Sequence, residues 1–193
     1  MLKRRDAADD WYYMGGDTAT VRQGWYNGFL SLNDADAVNG NHYVSSTLPD
    51  STHIYLGNEK VNIASASYIG YAFAEKQGYS KFSRYVGNGS ADGPFIYTGF
   101  QPAFVMIKGA DVADDWYIFD NKRAGYNPEV FRLRANTTGA ETTGTNNTVD
   151  HLSNGFKLRF TGGSINGSGS TYIYMAFAEQ PFVTSTGVPA TAR

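Results

Sequence analysis

Cysteine is absent from the 193 residues, which excludes disulfide staples, thiolate nucleophiles and cysteine-ligated zinc, and leaves no trace of a redox compartment. An excess of positive charge is missing too. Lysine and arginine number 16 against 18 aspartates and glutamates, so there is no general electrostatic ground for binding nucleic acid or an anionic membrane. No apolar run approaches the roughly 18 residues of a spanning helix. The basic opening Met1-Leu2-Lys3-Arg4-Arg5 is not followed by the apolar stretch of a signal peptide, and neither membrane insertion nor a nucleic-acid partner is expected. Short of long Ala, Leu, Glu and Lys stretches, the chain has little to make helices from.

What it has instead is 14 Tyr, 12 Phe and 22 Gly, a composition suited to short strands joined by glycine turns. It also repeats itself. Residues 1–14 align without gaps on 106–119 with eight identities, among them Ala-Asp-Asp-Trp-Tyr. Residues 62–75 align on 166–179 with seven, centred on Tyr-Ile-x-x-Ala-Phe-Ala-Glu. Between these anchors Arg22-Gln23-Gly24-Trp25-Tyr26-Asn27 matches Arg123-Ala124-Gly125-Tyr126-Asn127 more weakly. Two anchors offset by 105 and 104, with a third in order, mean that one unit occurs twice. The first copy has no counterpart of residues 82–105. The chain is therefore expected to be the C-terminal part of something longer, the alternative being that the first copy borrows its missing strands.

In the second copy, runs at 81–86, 94–98, 103–108, 115–120, 130–134, 155–160 and 171–177 read as strands. Residues 156–160 and 131–134 alternate apolar with basic, the pattern of strands with one buried face. By contrast 172–177, and 68–73 in the first copy, are apolar on both faces and need cover on both sides. The expected fold class is all-β: two tandem antiparallel β-sandwich, jelly-roll-like units, the first (1–78) incomplete at its N-terminus, the second at 79–182, and an extended tail at 183–193. A single larger jelly roll is the alternative. Residues 87–93, 136–147 and 164–170 read as loops.

Candidate chemistry is thin. The neighbouring carboxylates Asp9-Asp10 and Asp114-Asp115 precede strands, where successive side chains diverge, and read as turn caps rather than an acid/base pair. His42, His53 and His151 lack metal-ligand spacing, no Gly-x-Ser-x-Gly elbow accompanies them, and the glycines of 87–93 are not followed by the Gly-Lys-Ser/Thr of a phosphate loop. No catalytic residue, metal or cofactor is expected, and the chain reads as a binding or structural module rather than an enzyme. The ligand-binding candidates are Arg22, Trp25, Tyr26 and Asn27 with Arg123, Tyr126 and Asn127, because aromatic faces stack on sugars while Arg and Asn bond hydroxyls. The competing reading is that they pack a loop onto the sandwich. Arg132, Arg134, Lys157 and Arg159 offer a basic face. Asn-x-Ser/Thr at Asn88, Asn136, Asn146 and Asn166 reads as turn composition rather than glycosylation.

The string Lys81-Phe82-Ser83-Arg84-Tyr85-Val86-Gly87-Asn88-Gly89-Ser90-Ala91-Asp92-Gly93-Pro94-Phe95, with Gly99-Phe100-Gln101-Pro102-Ala103, Tyr126-Asn127-Pro128 and Leu152-Ser153-Asn154-Gly155-Phe156-Lys157, resembles a repeated domain at the C-terminal end of tailed-bacteriophage virion proteins. In that family Gly-Val-Pro-x-x-Ala-Arg commonly closes the chain, as Gly187-Val188-Pro189-Ala190-Thr191-Ala192-Arg193 does here. The resemblance implies a virion protein, a tail-fibre or surface-appendage component that presents loops for host attachment. It carries over no catalytic or binding residues. The expected partners are other copies of itself in a homotrimer, other virion proteins and a host cell-surface glycan. A lectin-like carbohydrate-binding module is the alternative, followed by a capsid decoration protein and, last, a glycan depolymerase.

Overall fold

The computed structural model of the chain describes residues 1–15, 29–38, 47, 50–57 and 60–180. Short aromatic and β-branched runs punctuated by Gly, Asn and Asp form twelve strands there. In chain order they are β1 (Leu2–Arg4), β2 (Trp11–Tyr13), β3 (Leu30–Ser31), β4 (Tyr68–Gly70), β5 (Ser80–Val86), β6 (Phe95–Tyr97), β7 (Pro102–Gly109), β8 (Tyr117–Asp120), β9 (Leu133–Arg134), β10 (Val149–Leu152), β11 (Gly155–Leu158) and β12 (Thr171–Ala178). Among the described residues there is one four-residue helix, α1 (Gly163–Asn166), which overlaps the start of the expected 164–170 loop. The strands make three antiparallel sheets, ordered β3-β2-β1-β4, β10-β11-β6 and β5-β12-β7-β8-β9. The all-β, sandwich-like class expected from composition is what the chain adopts.

The five-stranded sheet is the middle layer. On one face Val105, Ile107, Tyr117, Phe119, Tyr172 and Tyr174 meet Ile96, Phe156 and Leu158 of the three-stranded sheet and Ile165 of α1. On its other face Met106, Trp116, Ile173 and Met175 meet Tyr13 and Leu30 of the four-stranded sheet. This explains why residues 172–177 are apolar at every position: odd and even side chains enter different cores, and both covers come from the same chain. Residues 68–73 share that pattern but not that cover. Ile69, Tyr71 and Phe73 remain 38%, 46% and 49% exposed.

The four-stranded sheet repeats β12-β7-β8-β9 in order and in register. Leu2 pairs with Tyr12 and Gly70, as Ile107 pairs with Tyr117 and Tyr174. Tyr12 and Tyr13 pair with Ser31 and Leu30, as Tyr117 and Ile118 pair with Arg134 and Leu133. The two related sheets stack through equivalent faces, since Met1 and Met106, and likewise Tyr13 and Ile118, lie in one cluster. The expected tail at 183–193 lies outside the described residues.

Of the two runs expected to alternate, one keeps its expected faces and one does not. Lys157 points outward between buried Phe156 and Leu158 as its alternation requires. In 131–134, however, Arg132 is the buried residue while Phe131 and Leu133 are half-exposed. The reason is a local bridge: Arg132 exchanges backbone hydrogen bonds of 3.0 Å in both directions with Thr142. That pairing rotates the segment before β9 begins.

Candidate functional site

The Asp-Asp-Trp-Tyr motif is built twice in the same way. Asp9 Oδ1 accepts the Asp10 N–H and the Tyr12 hydroxyl. Asp114 Oδ1 accepts the Asp115 N–H and the Tyr117 hydroxyl. Asn33 accepts from the Trp11 N–H and donates to Asp10 Oδ1; Asn136 accepts from the Trp116 N–H at 3.0 Å and donates to Asp115 Oδ1 at 2.8 Å. In each copy the two carboxylates face separate partners, so the pair ties one strand start to the loop after the next strand. The turn-cap reading of these residues fits this geometry. Asn136→Ala is expected to cost about 1–3 kcal/mol, because the N–H leading into the buried Trp116 is left without its acceptor. Urea denaturation checks it, and an unchanged midpoint would contradict the role given to this amide.

Of the ligand-binding candidates, Arg22, Trp25, Tyr26 and Asn27 lie outside the described residues. Arg123, Tyr126 and Asn127 sit on the loop between β8 and β9. Asp120 Oδ1 accepts the Lys122 N–H to start that loop, and Gly125 turns it at φ +76°. Buried Glu129 holds it closed by accepting the Phe131 N–H at 2.8 Å and the Ala124 N–H at 3.3 Å. Asn127 is fully employed: its amide donates to the His151 carbonyl at 2.8 Å and accepts the His151 N–H at 2.9 Å, taking the place of a strand partner along β10. Arg123 is ion-paired with Glu141. Tyr126 is 68% exposed. The three do not converge on a common point through these contacts; two of them serve the loop itself.

Beside Asn127 the loop borders an open cleft of about 500 Å³, lined by Asn127, Pro128, Thr145, Thr148, Asp150 and Arg159 among others. Arg159 Nε donates to Asp150 Oδ2 at 2.5 Å, and its Nη1 lies 3.5 Å from Asp92, which Lys157 also meets at 2.8 Å. The Lys157 ammonium, by hydrogen bond and then by charge, lowers the Asp92 carboxyl below its ordinary range. The expected basic face is thereby divided. Lys157 and Arg159 share acidic partners, Arg134 Nε stands 3.0 Å from Asp115, and Arg132 is buried, which lowers its pKa. Neutral in sum and rich in hydroxyl and amide groups, the cleft suits a polyol better than a strong anion.

The two described histidines have separate partners. His53 is exposed and lies 3.2 Å from Asp50. His151 is buried in β10, where desolvation lowers its pKa and its Nδ1 stands 3.1 Å from the Pro102 carbonyl. His42 lies outside the described residues. Among the described residues no cluster of His, Asp and Glu offers a metal site.

Nor do the glycines of 87–93 cradle an anion. Asn166, fully buried, accepts the Asn88 N–H at 2.9 Å and donates to the Ser90 and Phe160 carbonyls at 2.8 and 2.7 Å. Gly87 packs so tightly that a Cβ would stand 2.3 Å from the Gly167 carbonyl oxygen. This buried Asn166 is no glycosylation acceptor.

Sequence reasoning singled out Tyr126 and Asn127 but not Asp150, Thr145 or Thr148. An isolated Asp in the run Val149-Asp150-His151-Leu152 carries no motif. Compared with known proteins, residues 1–181 match the model of a family described as a domain of unknown function, DUF7483. No curated protein and no solved structure matches the chain.

Proposed function

From the premise that the chain belongs to the DUF7483 family, we propose that it is a non-catalytic structural module of a virion appendage. In this reading it is a tail-fibre component, assembled as a homotrimer with other virion proteins, whose loops meet the host surface. The supporting observation is the doubled Asp-Asp-Trp-Tyr and Asn arrangement: the carboxylates that recur in both copies are spent on holding strands together. A unit reused with its staples intact and its loops varied is what a building block requires. Density for the intact virion tests the reading, with the stacked three-layer outline expected in an external appendage. Its absence from every virion component would overturn it.

A second reading, a lectin-like module, draws on exposed Tyr126, the sequence neighbour of Asn127, which lines the neutral, hydroxyl-bearing cleft. An aromatic face stacks on the apolar face of a sugar ring while Asp150 and Arg159 bond its hydroxyls. The chain is expected to be retained on immobilised host polysaccharide without shortening it. Tyr126→Ala should weaken retention about tenfold, equal to about 1.4 kcal/mol. Equal retention of wild type and variant would remove this cleft from consideration, and shortening of the polysaccharide would point to an enzyme.

A further inference from the structure

The outer face of the three-stranded sheet carries a row of side chains that leads from the cleft at Asp150 to two aromatic rings. Val149, Phe156, Leu158 and Ile96 turn into the core, so the alternate residues of β10, β11 and β6 share the opposite face. Register sets Asp150 beside Lys157 and Lys157 beside Phe95; in the next row Leu152 lies beside Gly155 and Gly155 beside Tyr97. Phe95 and Tyr97 are 44% and 64% exposed. Gly155 lets the first of these rings lean over β11, since a Cβ there would stand 2.9 Å from Phe95 Cε2. Neighbouring strands lie about 4.8 Å apart, which puts the backbones of Phe95 and Asp150 about 10 Å from each other.

Between the cleft and the rings the charges alternate. Asp150 Oδ2 accepts from Arg159 Nε at 2.5 Å, Arg159 Nη1 lies 3.5 Å from Asp92, and Lys157 meets the same Asp92 at 2.8 Å. Two cations and two carboxylates leave this line without net charge, so it favours neither an anion nor a cation. Hydroxyls, which donate and accept at once, match it at every step. Size argues against a folded protein as the occupant. Three strands about 4.8 Å apart, read over four residues of about 3.4 Å each, make a face of about 200 Å², a fraction of the roughly 800 Å² that each partner brings to a stable protein interface. A sugar chain offers both matching surfaces: C–H faces that pack on the negative face of an aromatic ring, and hydroxyl rims for the paired charges.

We propose that this face binds a neutral polysaccharide chain laid across the strands, with one sugar held in the cleft at Asp150 and Arg159 and a later sugar stacked on Phe95 and Tyr97. This assignment rests on the lectin-like reading of the cleft and adds to it a minimum chain length, because one sugar ring does not reach from Asp150 to Phe95.

The test titrates the full chain with neutral gluco-, manno- and galacto-oligosaccharides of one to six units and follows backbone amide shifts by NMR, which gives affinity and place together. Single sugars are expected to shift Thr148 and Asp150. Hexamers are expected to shift Phe95 and Tyr97 as well and to bind at least about tenfold more tightly, a gain of about 1.4 kcal/mol. Phe95→Ala with Tyr97→Ala should return the hexamer to the affinity of the single sugar. Should that double variant not fold, Tyr97→Ala alone, at the more exposed ring, is expected to remove at least about threefold of the gain. Single sugars that shift Asp150 while hexamers neither reach Tyr97 nor gain affinity overturn the extended face and leave the cleft as a lectin-like site. No shift with any oligosaccharide overturns both. Self-association that Tyr97→Ala abolishes gives the rings to a second copy of the chain and likewise overturns the proposal.

Discussion

Trp116→Ala is expected to lower stability by about 3–5 kcal/mol, at the upper end for core truncation. Trp116 is only 2% exposed, and its ring lies in the cluster formed between the two stacked related sheets. It meets Tyr13 edge-on with centroids 5.3 Å apart, while its indole N–H donates to the Ser31 carbonyl of β3 at 2.9 Å. One side chain therefore supplies apolar cover, an aromatic pair and a hydrogen bond between the two related sheets. Removing it leaves a cavity and strips the Ser31 carbonyl of its shorter hydrogen bond, with only the 3.4 Å bond from the Asp34 N–H remaining. Trp116→Phe separates the two contributions: keeping most of the ring but losing the N–H is expected to cost about 1–3 kcal/mol. Chemical denaturation of the three proteins measures both. A loss below 1 kcal/mol for alanine would mean that the sheets do not depend on each other.

That dependence marks the boundary of what the sequence discloses. Periodicity shows which faces are apolar, and it located the strands of the second copy except β10. Val149-Asp150-His151-Leu152 carries two polar residues that are buried for local reasons: Asp150 meets Arg159, and His151 is held by Asn127 and Pro102. No alternation survives there to be read. The repeat anchors revealed an equivalence that extends to pairing order and register, because Asp-Asp-Trp-Tyr fixes its strand start by hydrogen bonds internal to each copy. What covers a two-faced strand is a different kind of fact. The run at 172–177 is covered on one face by its own sandwich and on the other by the preceding repeat, and the similar run at 68–73 is left half-covered. Nothing in either run distinguishes them; the difference lies in the neighbours each copy has. The candidate site shows the same limit. Tyr126-Asn127 stood out as a sugar-binding pair, but amide geometry gives Asn127 to the backbone of His151 and leaves the aromatic ring as the exposed element.

Above pH 10 the fold is expected to lose stability steeply, because several tyrosines are held protonated in it. Burial pushes the Tyr13 hydroxyl up from 10.0 to about 12, and Tyr85, stacked against Tyr172 with centroids 5.2 Å apart, is raised well above 10.0, first by burial and then by its neighbour. Tyr12 is raised as well, by burial and then by its hydrogen bond to Asp9. In the unfolded chain these phenols ionise near 10, so the unfolded state releases protons that the native state retains. Their contribution is complete below pH 10 and is lost as pH rises toward the folded values, at about 1.4 kcal/mol per pH unit for each tyrosine. Lys108 acts with the opposite sign. Its ammonium, buried and donating to the Ala35, Gly109 and Val112 carbonyls, has its pKa lowered by desolvation. Below 10.5 the unfolded chain therefore binds more protons at this position, and stability rises with pH until that contribution levels off. The two effects together predict a profile that climbs gently into mildly alkaline solution and then falls with a slope set by the tyrosines. Denaturation at a series of pH values, with phenolate absorbance followed in parallel, measures it. In Tyr13→Phe the slope above pH 10 is expected to shrink by one tyrosine's share, about 1.4 kcal/mol per unit, with Lys108→Met flattening the climb below it. A slope that Tyr13→Phe leaves untouched would show that this hydroxyl ionises freely in the native protein, and so that the interface between the stacked sheets admits water.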